Sequence, residues 1–166
     1  NLKVVGTSFS RTNFGIKIAN NAGGKRSYIR VNNVEVSGFG EYGINVVGER
    51  GTAGFNNVRI TNAVVHNNVV AGIKVHNVQK SGYSHTNVYI GRVRAYNNFG
   101  TSRKAVSGSG IEMSNVDGGT IERSVAYNNS ARGRGAVAIW AHDANRIKIQ
   151  YNEAYNQHTN SSADGT

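Results

Sequence analysis

Lys74 and His76 in A-G-I-K-V-H-N, Glu112 in S-G-I-E-M-S-N, and Trp140 in A-I-W-A-H-D are the side chains whose types and spacing best suit chemistry. An ammonium beside an imidazole suits abstraction of a proton next to a carboxylate: the cation neutralises the carboxylate, and the base, His76 or Lys74 itself, takes the proton. Glu112 is either an ion-pair partner of Lys74 or a general acid. A hydrolase needs two carboxylates at a set separation, and Asp143 is the nearest second one. Lys74, His76 and Glu112 are therefore the candidate catalytic residues. Trp140, the only tryptophan, offers a flat apolar face to a sugar ring, and Lys17 and His142 join it as candidate substrate-binding residues. Asp143, Glu153 and Asp164 form the one plausible oxygen-ligand set for a metal, of which calcium is the candidate. No H-E-x-x-H, nucleophile elbow or phosphate loop leading into a helix occurs.

The elements that must position these groups follow from composition. Of 166 residues 21 are Gly and none is Pro, while Asn recurs throughout, a balance suited to short strands joined by tight turns. With no cysteine, disulfides, thiolate metal sites and cysteine nucleophiles are excluded. No apolar run approaches the 18 or so residues of a membrane span. The net charge of +10 favours polyanionic partners. Nucleic acid is the weaker choice among these, because aromatic residues are not interleaved with the basic loops.

The chain repeats. VNNVEVSG (31–38), ITNAVVHNN (60–68), IGRVRAYNN (90–98), IERSVAYNN (121–129) and IQYNEAYNQ (149–157) superimpose without gaps. A second set, FGIKIAN (14–20), YGINVVG (42–48), AGIKVHN (71–77), SGIEMSN (109–115) and GAVAIWA (135–141), is a turn residue followed by a short alternating strand. One such unit cannot bury its apolar side alone, so the units must stack as coils of roughly 28–31 residues with parallel strands. This predicts an all-β, right-handed parallel β-helix solenoid of about five to six coils. Gly23-Gly24-Lys25-Arg26, Ser102-Arg103-Lys104 and Arg132-Gly133-Arg134 read as basic loops between strands. A single Leu, at position 2, argues against a leucine-rich solenoid.

Inward columns are expected from Ile16, Ile44, Ile73, Ile111 and Val137; from Ile18, Val46, Val75, Met113 and Ile139; and from Val31, Ile60, Ile90, Ile121 and Ile149. Tyr96, Tyr127 and Tyr155 should stack with His66, beside a buried amide ladder of Asn67, Asn97, Asn128 and Asn156. Alternation then gives two outward rows, Lys17-Asn45-Lys74-Glu112-Ala138 and Ala19-Val47-His76-Ser114-Trp140.

The alternation of G-I-x-I/V strands with V-x-A-Y-N-N corners resembles the right-handed parallel β-helix family of pectate lyases, polygalacturonases, alginate lyases and alginate C5-epimerases, over nearly the whole chain. The run 138–166 is similar to a segment of secreted bacterial β-helix proteins in which W-x-x-D-x-N precedes a strand and the chain continues into further coils. The D-P-H tripeptide of the epimerases is absent, as is an Asp trio with R-x-x-R-x-P. The resemblance implies a carbohydrate groove along one outer sheet face, a secreted or cell-surface location and an acidic polysaccharide as partner. The expected function is binding of a uronate-containing polysaccharide, with lytic cleavage as its chemistry; a non-enzymatic spacer or adhesin module is the alternative. Residues 1–166 read as one β-helix domain and as a segment of a longer solenoid, completed end to end by association or by further chain.

Overall fold

The computed structural model describes residues 1–9, 13–79, 82–104, 106–133, 135 and 137–158. Three strands make each coil. The first holds β1 (Leu2–Ser8), β2 (Ile16–Asn20) and β3 (Lys25–Asn32); the second β4 (Val34–Phe39), β5 (Tyr42–Gly48) and β6 (Gly54–Thr61). Next come β7 (Val64–His66), β8 (Ala71–Asn77) and β9 (His85–Gly91), then β10 (Arg94–Tyr96), β11 (Ser109–Ser114) and β12 (Val116–Glu122). The fifth coil has β13 (Val125–Tyr127), β14 (Ile139–His142) and β15 (Asn145–Gln150), and β16 (Glu153–Tyr155) follows it.

Strands in equivalent places pair in parallel into three sheets: a first of β1-β4-β7-β10-β13-β16, a second of β2-β5-β8-β11-β14, and a third of β3-β6-β9-β12-β15. The protein is thus an all-β parallel solenoid of about five turns. Its core is the set of stacked inward columns. Ile44, Ile73 and Ile111 are adjacent in register and fully buried, as are Ile60, Ile90 and Ile121. At β15, the last strand described in the third sheet, Ile149 of this column is 47% exposed.

Two expectations about the stacked columns need correction. The first concerns the register of β14: Ile111 pairs with Ile139, not Val137, and Met113 with Ala141, not Ile139. The loop before β14 is two residues longer than the gapless alignment allows. Because side chains alternate with a period of two, a shift of two keeps every residue on its predicted face. It moves Trp140 beside Glu112 and His142 beside Ser114.

The second concerns the asparagines. Asn67, Asn97, Asn128 and Asn156 are not the buried ladder; each takes left-handed backbone, with φ of 55°, 51°, 53° and 50°, and turns the corner. The ladder is the next column. Asn68 Nδ2 donates to Asn98 Oδ1 at 3.1 Å, Asn98 Nδ2 to Asn129 Oδ1 at 2.9 Å, and all three residues are fully buried. Their oxygens also accept the backbone N–H one coil back, from Phe39, Asn68 and Asn98. Gln157 extends the column by donating to the Ala126 carbonyl at 3.0 Å. The ladder and the next strand's carbonyl together leave no room for a side chain at Gly43, Gly72 and Gly110: a Cβ on Gly72 would meet the Gly110 carbonyl oxygen at 2.6 Å and Asn98 Nδ2 at 3.0 Å.

The aromatic column forms as expected. His66, Tyr96, Tyr127 and Tyr155 stack with centroids 4.7, 5.0 and 5.1 Å apart on the outer face of the first sheet. Lys25 and Arg26, read as a loop, instead open β3.

Candidate active site on the second sheet

The outer face of the second sheet collects most of the predicted site residues. Lys17 pairs with Asn45, Asn45 with Lys74, Lys74 with Glu112, and Glu112 with Trp140, one strand to the next. In the neighbouring row Ala19 pairs with Val47, Val47 with His76, and Ser114 with His142. The G-I-x-V strands put these side chains outward because their isoleucines and valines are held in the core.

Glu112 is the hub. Its side chain is 3% exposed, with Lys74 Nζ 2.6 Å and His142 Nε2 3.1 Å from the same oxygen, Oε1. Burial alone would push the Glu112 carboxyl up, but the His142 hydrogen bond and the Lys74 charge outweigh it and hold the group below the ordinary carboxylate range. A carboxylate held ionised in this way positions its neighbours; it is not poised as a proton donor. His142 Nδ1 lies 3.0 Å from Asp143 Oδ2, so both ring nitrogens face carboxylates. The Glu112 bond, then the Asp143 bond, raise His142 above the ordinary histidine value despite partial burial, which favours imidazolium.

His76 is the opposite case. Burial, with the Lys74 charge next in size, pushes it down to about 4, so near neutrality it is an uncharged imidazole. Its Nε2 is 3.1 Å from Asn45 Oδ1, an acceptor, so Nε2 carries the hydrogen and Nδ1 the lone pair. The surroundings thus shift two imidazoles on one face in opposite directions, His76 down and His142 up. Trp140 lies over His142 with centroids 4.4 Å apart, and its indole N–H is buried without a partner among the described residues. Lys74, His76, Glu112, Ser114, Trp140 and His142 line a depression of about 150 Å³.

Lys17 stands two strands from Lys74, bound to Glu49 at 2.8 Å, and lines a neighbouring depression of about 320 Å³ with Phe14, Tyr42 and His76. Tyr42 was not foreseen. Its ring packs edge-on to His76, with centroids 5.8 Å apart, and has Lys74 Nζ 5.6 Å and Lys104 Nζ 6.0 Å from its centroid. Burial drives its hydroxyl far above the usual tyrosine value. Alternation would have turned Tyr42 inward with Ile44; the strand begins at the corner, where alternation fails.

No model of a protein family, no curated protein and no solved structure matches this chain.

The candidate metal ligands are not brought together. Asp143 follows β14 on the second sheet, whereas Glu153 is an exposed residue of β16 on the first, and Asp164 lies outside the described residues. Among the described residues no three His, Asp or Glu side chains converge to hold a metal ion, and none of the helices a membrane span would need is present.

Proposed function

We propose that this protein binds an acidic, uronate-containing polysaccharide along the outer face of the second sheet and cleaves it by β-elimination. One observation carries the reading: Lys74 and two imidazoles, His76 shifted down and His142 shifted up by their surroundings, share a depression with a tryptophan. In the proposed step Lys74 holds the uronate carboxylate and stabilises the charge that develops there. His76 Nδ1 takes the C5 proton, and the electron pair forms the C4–C5 double bond as the C4–O bond breaks. The leaving oxygen takes a proton from His142 Nδ1, whose present partner, Asp143, is 61% exposed and open to displacement. Glu112 orients both cations. The pectate-lyase-like kinship and the secreted or cell-surface location belong to this same reading and rest on the sequence resemblance.

A second reading, a non-enzymatic spacer or adhesin, is favoured by charge balance: Lys74, Glu112, His142 and Asp143 already satisfy one another. Incubation with polygalacturonate, alginate and glycosaminoglycans separates the two. Ultraviolet absorbance of an unsaturated uronate product on any of them supports the lyase. Retention without absorbance supports the binding module, and neither outcome on any of them rejects both.

A further inference from the structure

The outer face of the third sheet carries what the second-sheet site lacks, uncompensated positive charge. Its central outward row runs Arg30, Arg59, Tyr89, Thr120, Lys148, each in register with the next. At about 4.8 Å per strand step, four steps span about 19 Å. Cation–carboxylate pairs among the described residues join Lys3 to Glu35, Lys17 to Glu49, Lys74 to Glu112, Lys104 to Glu41 and Arg146 to Asp117. None of them includes Arg30, Arg59 or Lys148.

The two arginines are built in. Arg30 donates through one terminal nitrogen to the carbonyls of Ile29 and Asn57, at 2.9 and 2.7 Å, and through the other to Asn57 Oδ1 at 3.1 Å. Arg59 repeats this one coil on, with Val58 at 2.9 Å, Asn87 carbonyl at 2.8 Å and Asn87 Oδ1 at 2.9 Å. All these acceptors are neutral, and three of the five N–H groups of each guanidinium are used, which leaves two. The repeat has a backbone cause: Asn57 and Asn87 occupy a left-handed position, φ 58° and 52°, that recurs at Tyr28, Gly118 and Arg146 and turns a carbonyl toward the neighbouring arginine. Two fixed like charges thus stand one strand apart, and Arg59 is lowered by burial and then by Arg30.

Beside Arg59 lies a depression of about 420 Å³. Thr86, Gly118 and Thr120 keep its floor low; Arg59 and Tyr89 flank one side, Arg146 and Lys148 the other. We infer that this face is a second binding track, separate from the second-sheet site, for the acidic polysaccharide chain: Arg30, Arg59 and Lys148 take its anionic groups and the threonine-floored depression its sugar hydroxyls. Asp117, in the same depression, is held by Arg146 and Asn145, and its remaining lone pairs can accept hydrogen bonds from the sugar hydroxyls that a polysaccharide presents along its length.

Affinity electrophoresis of the whole chain in gels containing polygalacturonate, at several salt concentrations, tests this. Arg30→Gln/Arg59→Gln should raise the dissociation constant at least tenfold and flatten its salt dependence. Thr120→Glu, which removes no hydrogen bond described here, should weaken binding at least fivefold. Urea unfolding checks each variant, and if the double variant is unfolded, Thr120→Glu alone decides. Binding within twofold of wild type for every folded variant overturns the proposal. So does displacement of polygalacturonate by a single-stranded oligonucleotide at lower concentration than by polygalacturonate itself, which would make the face a nucleic-acid surface.

Discussion

Lys74 Nζ lies 2.6 Å from Glu112 Oε1, on the next strand of the second sheet, and the carboxylate end of that pair is almost wholly buried. Removing one partner strands the other, whereas replacing both with apolar groups need not destabilise the fold. Glu112→Gln should cost about 2–4 kcal/mol in urea unfolding, and Lys74→Met/Glu112→Met should recover more than half of that loss. A Glu112→Gln protein as stable as wild type would mean that the pair is open to solvent.

The asparagine corner gives a sharper contrast. Asn98→Leu removes the side-chain donors to Asn129 Oδ1 and the Val65 carbonyl and the acceptor used by Asn68 from a fully buried ladder, and should cost about 2–4 kcal/mol. Asn97, one residue earlier, is held by its left-handed backbone instead. Asn97→Gly should lie within about 0.5 kcal/mol of wild type and Asn97→Leu cost about 1–2. Equal costs for Asn97→Leu and Asn98→Leu would remove the distinction.

How far the sequence reached shows in the same elements. The repeat placed the three inward columns through four coils because each position is apolar and the strands keep their spacing. It failed at the ladder because H-N-N and Y-N-N offer two asparagines in succession, and only the backbone decides which one turns the corner. It failed at β14 because Val137 and Ile139 fit the column equally well. Outward faces survived that slip, so Lys74, His76, Glu112, Trp140 and His142 were found together. The Arg30–Arg59 stack was missed because most of its acceptors, the main-chain carbonyls of Ile29, Asn57, Val58 and Asn87, carry no side-chain signature.

Acid should loosen the fold through His85. It is fully buried, stacks on Phe55 and has Nε2 2.8 Å from the His76 carbonyl; burial pushes it down to about 4. The unfolded chain, titrating near 6.5, binds the proton more readily. Stability is therefore full above about pH 6.5 and falls as pH drops toward 4, by up to about 3 kcal/mol. His76, likewise lowered to about 4 by burial, adds a fall of the same sign, so urea midpoints between pH 7 and 4 should show the sum and His85→Gln should remove about half of it; an unchanged slope would assign the acid sensitivity elsewhere.

Turnover should follow a bell in pH. The acid limb should lie near 4, where His76 gains its proton, and the alkaline limb above 6.5, where His142 loses the one that its carboxylates hold. Rates of unsaturated uronate formation across pH 3.5–9 check this. Asp143→Asn should shift the alkaline limb downward, and a limb indifferent to that change would remove His142 from the role of acid.

The most direct test compares initial rates of unsaturated uronate formation, on the best of the three polysaccharides, by wild type, Lys74→Met and His76→Ala, with urea unfolding in parallel. The proposed reaction predicts measurable wild-type turnover and losses of about 100-fold or more in each variant that retains cooperative unfolding. Absence of turnover in the wild type, or rates within threefold of wild type for both variants, would contradict it.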